Sequence, residues 1–280
     1  YMSIHGVLGE HTNYPKTYAP SLLYPIARQI GRDEIIKATG YQSDYQGLDI
    51  WQAFEVSWLN QQGISQVATA RFSIPATSPY IVESKSLKLY LNSLNFSTFD
   101  DISSVEQTIA KDLSACVGAD MTVRLFNLND DTLAITKPVG ECIDTALDNS
   151  TKPLALTADI DSSLLTASPA SQLTTYQLYS DLLRSNCPVT NQPDWGTVQI
   201  EITTAYTLDK AQLLSYILSF RQHNGFHEQC VERIFADLMM VYQPQNLRVC
   251  ANYTRRGGID INPIRIFNND NLKISRLIRQ

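Results

Sequence analysis

The chain has 280 residues, 44% hydrophobic and 18% charged, a composition of globular proteins that excludes disordered and fibrous classes. Its formal net charge of −6 argues against a broad nucleic-acid footprint. No apolar run approaches the roughly 18–20 residues needed to cross a bilayer, which excludes an integral membrane protein held by helices.

Residues 1–11 (YMSIHGVLGEH) lack the basic and long apolar regions of a secretory leader, and Tyr1 ahead of Met2 reads as a trimmed terminus. Two strand-like stretches open the first half, at 50–60 and 66–75, and SKSLKLYLNSL follows at 84–94. Ile102, Val105, Ile109, Leu113 and Cys116 then recur at spacings of three and four, which predicts an amphipathic helix that Gly118 is placed to end. The strand pattern resumes at 121–128.

The second half repeats the order. Residues 172–186 and 196–206 read as strands, and Asp209 is placed to cap a helix carried by Leu213, Leu214, Ile217 and Leu218. A second helix runs from about Glu228 to Tyr242, and two β segments flank the Gly257-Gly258 pair as a hairpin. Both halves therefore read strand, strand, helix, helix, strand, strand, with the Asp-, Ser-, Thr- and Ala-rich stretch 145–171 as their join. The expected class is α+β, antiparallel sheets carrying helices on one face, with units at 1–150 and 151–280.

The five cysteines (Cys116, Cys142, Cys187, Cys230 and Cys250) are odd in number and widely spaced, which favours reduced thiols and a cytoplasmic setting. From 246 to 280, seven cations face only Asp260 and Asp270, either a solvated basic end or a site for a phosphorylated ligand. Neither GxGxxG nor GxxxxGK[ST] occurs, so a dinucleotide would have to bind by another route.

Cys187 sits in SNCPVTNQPDWG, between polar residues and a proline, where a strand is ending. Such a thiol meets ligand more readily than one inside a helix, and Asp194 across the turn is a candidate proton donor. A structural cysteine fits the same pattern. In HNGFHEQC, His223, His227, Glu228 and Cys230 could bind a metal, but Gly225 interrupts the helix that would align them, and core or capping roles compete. Glu83 and Glu228 beside aromatic or imidazole groups could grip a guanidine-like edge, or simply cap helices. Lys85 and Lys88 share a helical face and could hold a phosphate or be solvated.

Together, ESKSLKLYLNS, SNCPVTNQPDWG, FHEQCVERI and YTRRGGIDINP closely resemble the long, bimodular form of the QueF family, NADPH-dependent nitrile reductases of queuosine biosynthesis. The likeness covers nearly the whole chain, and ESKS-x-K-x-Y is the family's signature segment. It implies tandem tunnelling-fold (T-fold) units of ββααββ and reduction of the nitrile of 7-cyano-7-deazaguanine to an aminomethyl group by two NADPH. It also implies that Cys187 forms a thioimidate, that Asp194 moves the protons and that His227 assists. Glu83 and Glu228 would hold the deazaguanine edge, with Val82, Ser84, Phe226 and His227 shaping the pocket. NADPH would lie between Ser84, Lys85 and Ser86 on one side and Arg256 and Gly257 on the other. No metal, membrane or direct nucleic-acid contact is implied, and a homodimer with one active site per chain is expected. The rival readings are a zinc-dependent T-fold cyclohydrolase using His223, His227 and a cysteine, and a non-catalytic deazapurine-binding module.

Overall fold

The computed structural model describes residues 14–130 and 134–280, so the leader reading of residues 1–11 lies outside the described residues. A short strand β1 (Pro25–Ala27) leads directly into helix α1 (Arg28–Thr39). Two long strands follow, β2 (Gln46–Leu59) and β3 (Ser65–Pro75). On β3 the alternation of apolar and polar residues buries Ala68, Ala70, Phe72 and Ile74 on one face, the period-two signature of a half-buried strand. Then come β4 (Tyr80–Val82), α2 (Ser84–Ser93), α3 (Ile102–Val117) and β5 (Thr122–Phe126). Gly118 ends α3 in the left-handed region, its N–H donating to the Ser114 carbonyl as expected.

After two short strands, β6 (Ile135–Thr136) and β7 (Glu141–Cys142), the second half supplies β8 (Ser168–Asn186) and β9 (Pro193–Thr207). Helices α4 (Lys210–Leu218) and α5 (His227–Tyr242) precede β10 (Asn246–Tyr253), β11 (Ile259–Phe267) and β12 (Arg276–Leu277). Asp209 caps α4 by accepting from the Gln212 N–H. The second half thus shows the expected ββααββ order. In the first half, among the described residues, β5 alone returns beside β3 after the helices, and the two-residue β7 joins the main sheet only at its far edge, against β8. The polar run after Phe126 gives no further long strand there, and β6 pairs instead with β12.

The main sheet has eight strands in the order β5-β3-β2-β11-β10-β9-β8-β7, antiparallel except where β7 meets β8. The halves fuse where β2 pairs with β11, from Ile259 opposite Ala53 to Ile266 opposite Gln46. One core packs α2 and α3 on the first-half strands, and a second packs α4 and α5 on β8–β10. The opposite face is closed by a smaller cluster of Ile50, Cys250 and Ile264 with Leu272 and Ile274. This is the α+β architecture expected of tandem T-fold units.

A charge ladder crosses the fusion. Arg32 bonds Glu232 at 2.8 Å, Glu232 bonds Arg265 at 2.8 Å, Arg265 bonds Asp49 at 2.7 Å, and Asp49 bonds Arg28 at 2.6 Å. Arg265 is wholly buried between its two carboxylates, so its removal strands both of them away from water. Arg265→Met should therefore cost about 3–5 kcal/mol of unfolding free energy in urea titration, a surface-like loss below about 1 kcal/mol being the contrary result.

Candidate active site

The tight connection between β8 and β9 places the thiol. β8 ends at Asn186, and Cys187 closes the turn by donating its N–H to the Gln192 carbonyl at 2.8 Å and accepting from the Asn191 N–H at 2.9 Å. Asn191 takes a positive φ of 55°, a conformation that asparagine tolerates better than most residues. Ser185 then stands opposite Asp194 across the hairpin, so the loop returns the carboxylate to the thiol's end of the sheet.

Partial burial pushes the Cys187 thiol up. Donors from the Thr190 hydroxyl, the Thr190 and Val189 N–H groups and Arg256 outweigh it, and the net shift is downward. That direction favours thiolate, the nucleophilic form.

Asp194 is buried, with its Oδ1 2.8 Å from Arg256 Nε and 3.4 Å from His227 Nε2. Arg256 also donates to Gln192 Oε1 at 2.7 Å, which ties the guanidinium to the hairpin loop. His227 opens α5, its ring held edge-on to Tyr253 at a centroid distance of 4.1 Å. The aromatic face and the carboxylate together fix the imidazole plane.

Glu228, the second residue of α5, is 3% exposed, and its Oε1 has no hydrogen-bond partner. Burial pushes its carboxyl up, Asp49 adds to the rise, and His227 and Arg28 oppose it, leaving it at about 7. A buried acceptor without a partner costs free energy unless something docks there. Glu83 faces the same cavity and also caps α2, accepting from the N–H groups of Lys85 at 3.0 Å and Ser86 at 2.7 Å. The capping reading of this residue thus holds, and its side chain also stands on the cavity wall.

These groups line one cavity. Its wall brings together Val82, Glu83 and Ser84 from the first half with Cys187, Asp194, Phe226, His227, Glu228 and Arg256 from the second. Trp51, Ile81, Pro188 and Ile261 complete it. Trp51 was not anticipated as a site residue; it stands opposite Ile261 in the β2–β11 pairing, and its buried Nε1 is unpartnered.

A second cavity shares Ser84, His227, Arg256 and Ile261 with the first and adds Lys88, Thr254 and Ile259. Burial, then Arg256, lowers the Lys88 ammonium, while Glu83, Glu55 and Asp194 hold it up. Gly257 has a φ of 56°, and a Cβ there would fall 2.9 Å from Lys88 Nζ. A cradle open only to glycine beside two cations fits a phosphate-bearing cofactor. Of the residues expected to hold one, Ser84 and Arg256 line this space, whereas Lys85 is exposed and outside the wall. The Ser86 hydroxyl is committed locally, donating to the Glu83 carbonyl at 2.7 Å and accepting from the Tyr24 N–H at 3.0 Å.

The metal alternative finds no convergence. His223 Nδ1 pairs with Asp159 at 2.7 Å, His227 turns to Asp194, and Cys230 is fully buried. Among the described residues, the one tight grouping of potential metal ligands is Cys142, Asp144 and Asp181, which excludes His223, His227 and Cys230. No described helix is long and apolar enough to cross a membrane.

Known proteins resemble the chain in both halves. Residues 14–125 match the family described as nitrile reductase, 7-cyano-7-deazaguanine-reductase N-terminal, and residues 193–271 match that described as QueF-like protein. Proteins named NADPH-dependent 7-cyano-7-deazaguanine reductase from Psychrobacter cryohalolentis and Psychrobacter arcticus are each 59% identical, covering 100% of both chains. The protein of that name from Acinetobacter baumannii (strain AYE) is 50% identical over 93% of this chain and 92% of its own. Matched in both halves and along its full length, the chain belongs to the NADPH-dependent 7-cyano-7-deazaguanine reductases, the QueF family.

Proposed function

We propose that this chain reduces the nitrile of 7-cyano-7-deazaguanine to the primary amine through a covalent thioimidate on Cys187. The observation that carries this reading is one cavity holding a thiol of lowered pKa, a buried carboxylate at Asp194 and an unpartnered buried carboxylate at Glu228. The name of the relatives gives the substrate, and these groups suit its chemistry.

Glu228 and Glu83 accept from the donor edge of the deazaguanine, with the backbone of Val82 and Ser84, and Phe226 and His227, flanking the ring. The thiol proton of Cys187 passes to Asp194 as sulfur adds to the nitrile carbon. The C–S bond forms as one C≡N π bond opens, and Asp194 returns the proton to nitrogen. His227 and Arg256, both on Asp194 Oδ1, hold that carboxylate in place for the transfer. Enclosure protects the thioimidate from hydrolysis. Ser84, Lys88, Arg256 and the Gly257 turn are the residues that would hold NADPH. NADPH supplies hydride, two equivalents per nitrile.

Intact-mass measurement after incubation with 7-cyano-7-deazaguanine alone should show a stoichiometric adduct in the parent and none in Cys187→Ala. An unmodified parent, or an adduct that persists without Cys187, sinks the proposal. A pure binding module would retain ligand but consume no NADPH.

A further inference from the structure

Glu228 stands one helical turn before Glu232 on α5, and Arg28 stands one turn before Arg32 on α1. The two helices meet at Gly31, where a side chain would run into Gln229. The later pair, Arg32 and Glu232, is bonded at 2.8 Å. The earlier pair is left with complementary free atoms, because Arg28 Nη1 and Glu228 Oε1 are both buried without a partner. Arg28 is fixed by its other nitrogens, Nε to Ser78 Oγ at 3.1 Å and Nη2 to Asp49 at 2.6 Å. The ladder holds three guanidiniums (Arg28, Arg32 and Arg265) against Asp49 and Glu232, a surplus of one positive charge. Glu228 is the carboxylate that balances it.

We propose that Arg28, outside the cavity wall, is a positioning residue that holds Glu228 as the ionised acceptor for the donor edge of the substrate. The inference rests on the assignment of Glu228 to substrate recognition. It ties a charge of the first half to a recognition group of the second through the fused sheet rather than through ligand contact.

The groups facing Glu228 set the sign of each effect. From α1, Arg28 favours the carboxylate; from β2, Asp49 opposes it; on α5, His227 favours it. Glu232 is already bonded to Arg32 and Arg265, and burial pushes the Cys230 thiol up to about 12, so it stays neutral. Across the cavity, Glu83 is engaged as the α2 cap and Asp194 is bonded to Arg256.

Arg28→Gln and Asp49→Asn break the same 2.6 Å ion pair, yet the charge argument moves Glu228 in opposite directions. Equilibrium dialysis of 7-cyano-7-deazaguanine against proteins carrying Cys187→Ala, across neutral pH, measures binding without covalent capture. Affinity should rise with pH to a plateau, with the midpoint moved up by Arg28→Gln, down by Asp49→Asn and left unchanged by Arg28→Lys. A one-unit upward shift corresponds to a ~fivefold loss of affinity at the parent's midpoint. Midpoints that stay fixed, or move together as simple loosening would make them, overturn the inference. If Arg28→Gln does not fold, Asp49→Asn carries the test alone, and a midpoint at or above the parent's overturns it. A Cys187→Ala protein that binds nothing at any pH would instead overturn the assignment of the site.

Discussion

Asp194→Ala is expected to lower kcat by about 10²–10⁴-fold while changing substrate KM only a few-fold. The asymmetry follows from where Asp194 stands. It follows Cys187 on the same hairpin, buried, with its Oδ1 2.8 Å from Arg256 Nε and 3.4 Å from His227 Nε2, whereas recognition of the base falls, as proposed, to Glu83 and Glu228. Its removal deprives the thiol and the nitrile nitrogen of one relay for one proton, and adduct formation should slow with turnover. Arg256 keeps its bond to Gln192, so the hairpin loop retains an anchor and the fold should survive. Steady-state NADPH oxidation, with the rate of mass-adduct appearance, makes the measurement. A kcat within twofold of the parent would take Asp194 out of the chemistry.

The parts of this site legible in the sequence are those set by short-range order. The turn that carries Cys187 back to Asp194 lies within one hairpin, and the start of α5 fixes His227 and Glu228 together. Gly118 and Asp209 end and begin their helices as their residue types require. Helix α1 escaped notice because its buried face is Arg28, Gly31 and Ile35, which shows no apolar stripe. What buries it is the pairing of Arg28 with Asp49 on β2, together with the Arg32–Glu232 pair and a close approach to Gln229 that a segment roughly two hundred residues away supplies. Trp51 was hidden for a related reason. In its strand it reads as core, and it reaches the cavity only because β2 pairs with β11 across the two halves. Such pairings are long-range and leave no local periodicity to read. Lys88 was visible as a cation sharing a helical face with Lys85, but only the Gly257 turn beneath it distinguishes it from a solvated lysine.

Glu228→Gln should reduce kcat/KM for 7-cyano-7-deazaguanine by about 10²–10³-fold, roughly 3–4 kcal/mol. The substitution keeps volume and shape, so packing at the start of α5 is preserved and the loss reports on hydrogen bonding. A carboxylate offers only acceptors to the donor edge of the base, whereas an amide turns an N–H₂ group toward part of it. In a nearly dry pocket the resulting donor–donor contact has no water to relieve it. The pH dependence supplies a second signature. Burial and Asp49 hold the Glu228 carboxyl at about 7, above its ordinary value, and on the proposed reading the deprotonated form is the one that binds. The parent's kcat/KM should therefore rise with pH through that region and fall below it, and the glutamine variant, with nothing to ionise, should lose that limb. Discrimination against an analogue lacking the exocyclic amine should shrink in the same variant, since the parent is penalised for an unfilled acceptor and the variant is not. A glutamine variant with the parent's kcat/KM and pH limb would remove Glu228 from recognition and leave its buried, unpartnered oxygen without a ligand to explain it.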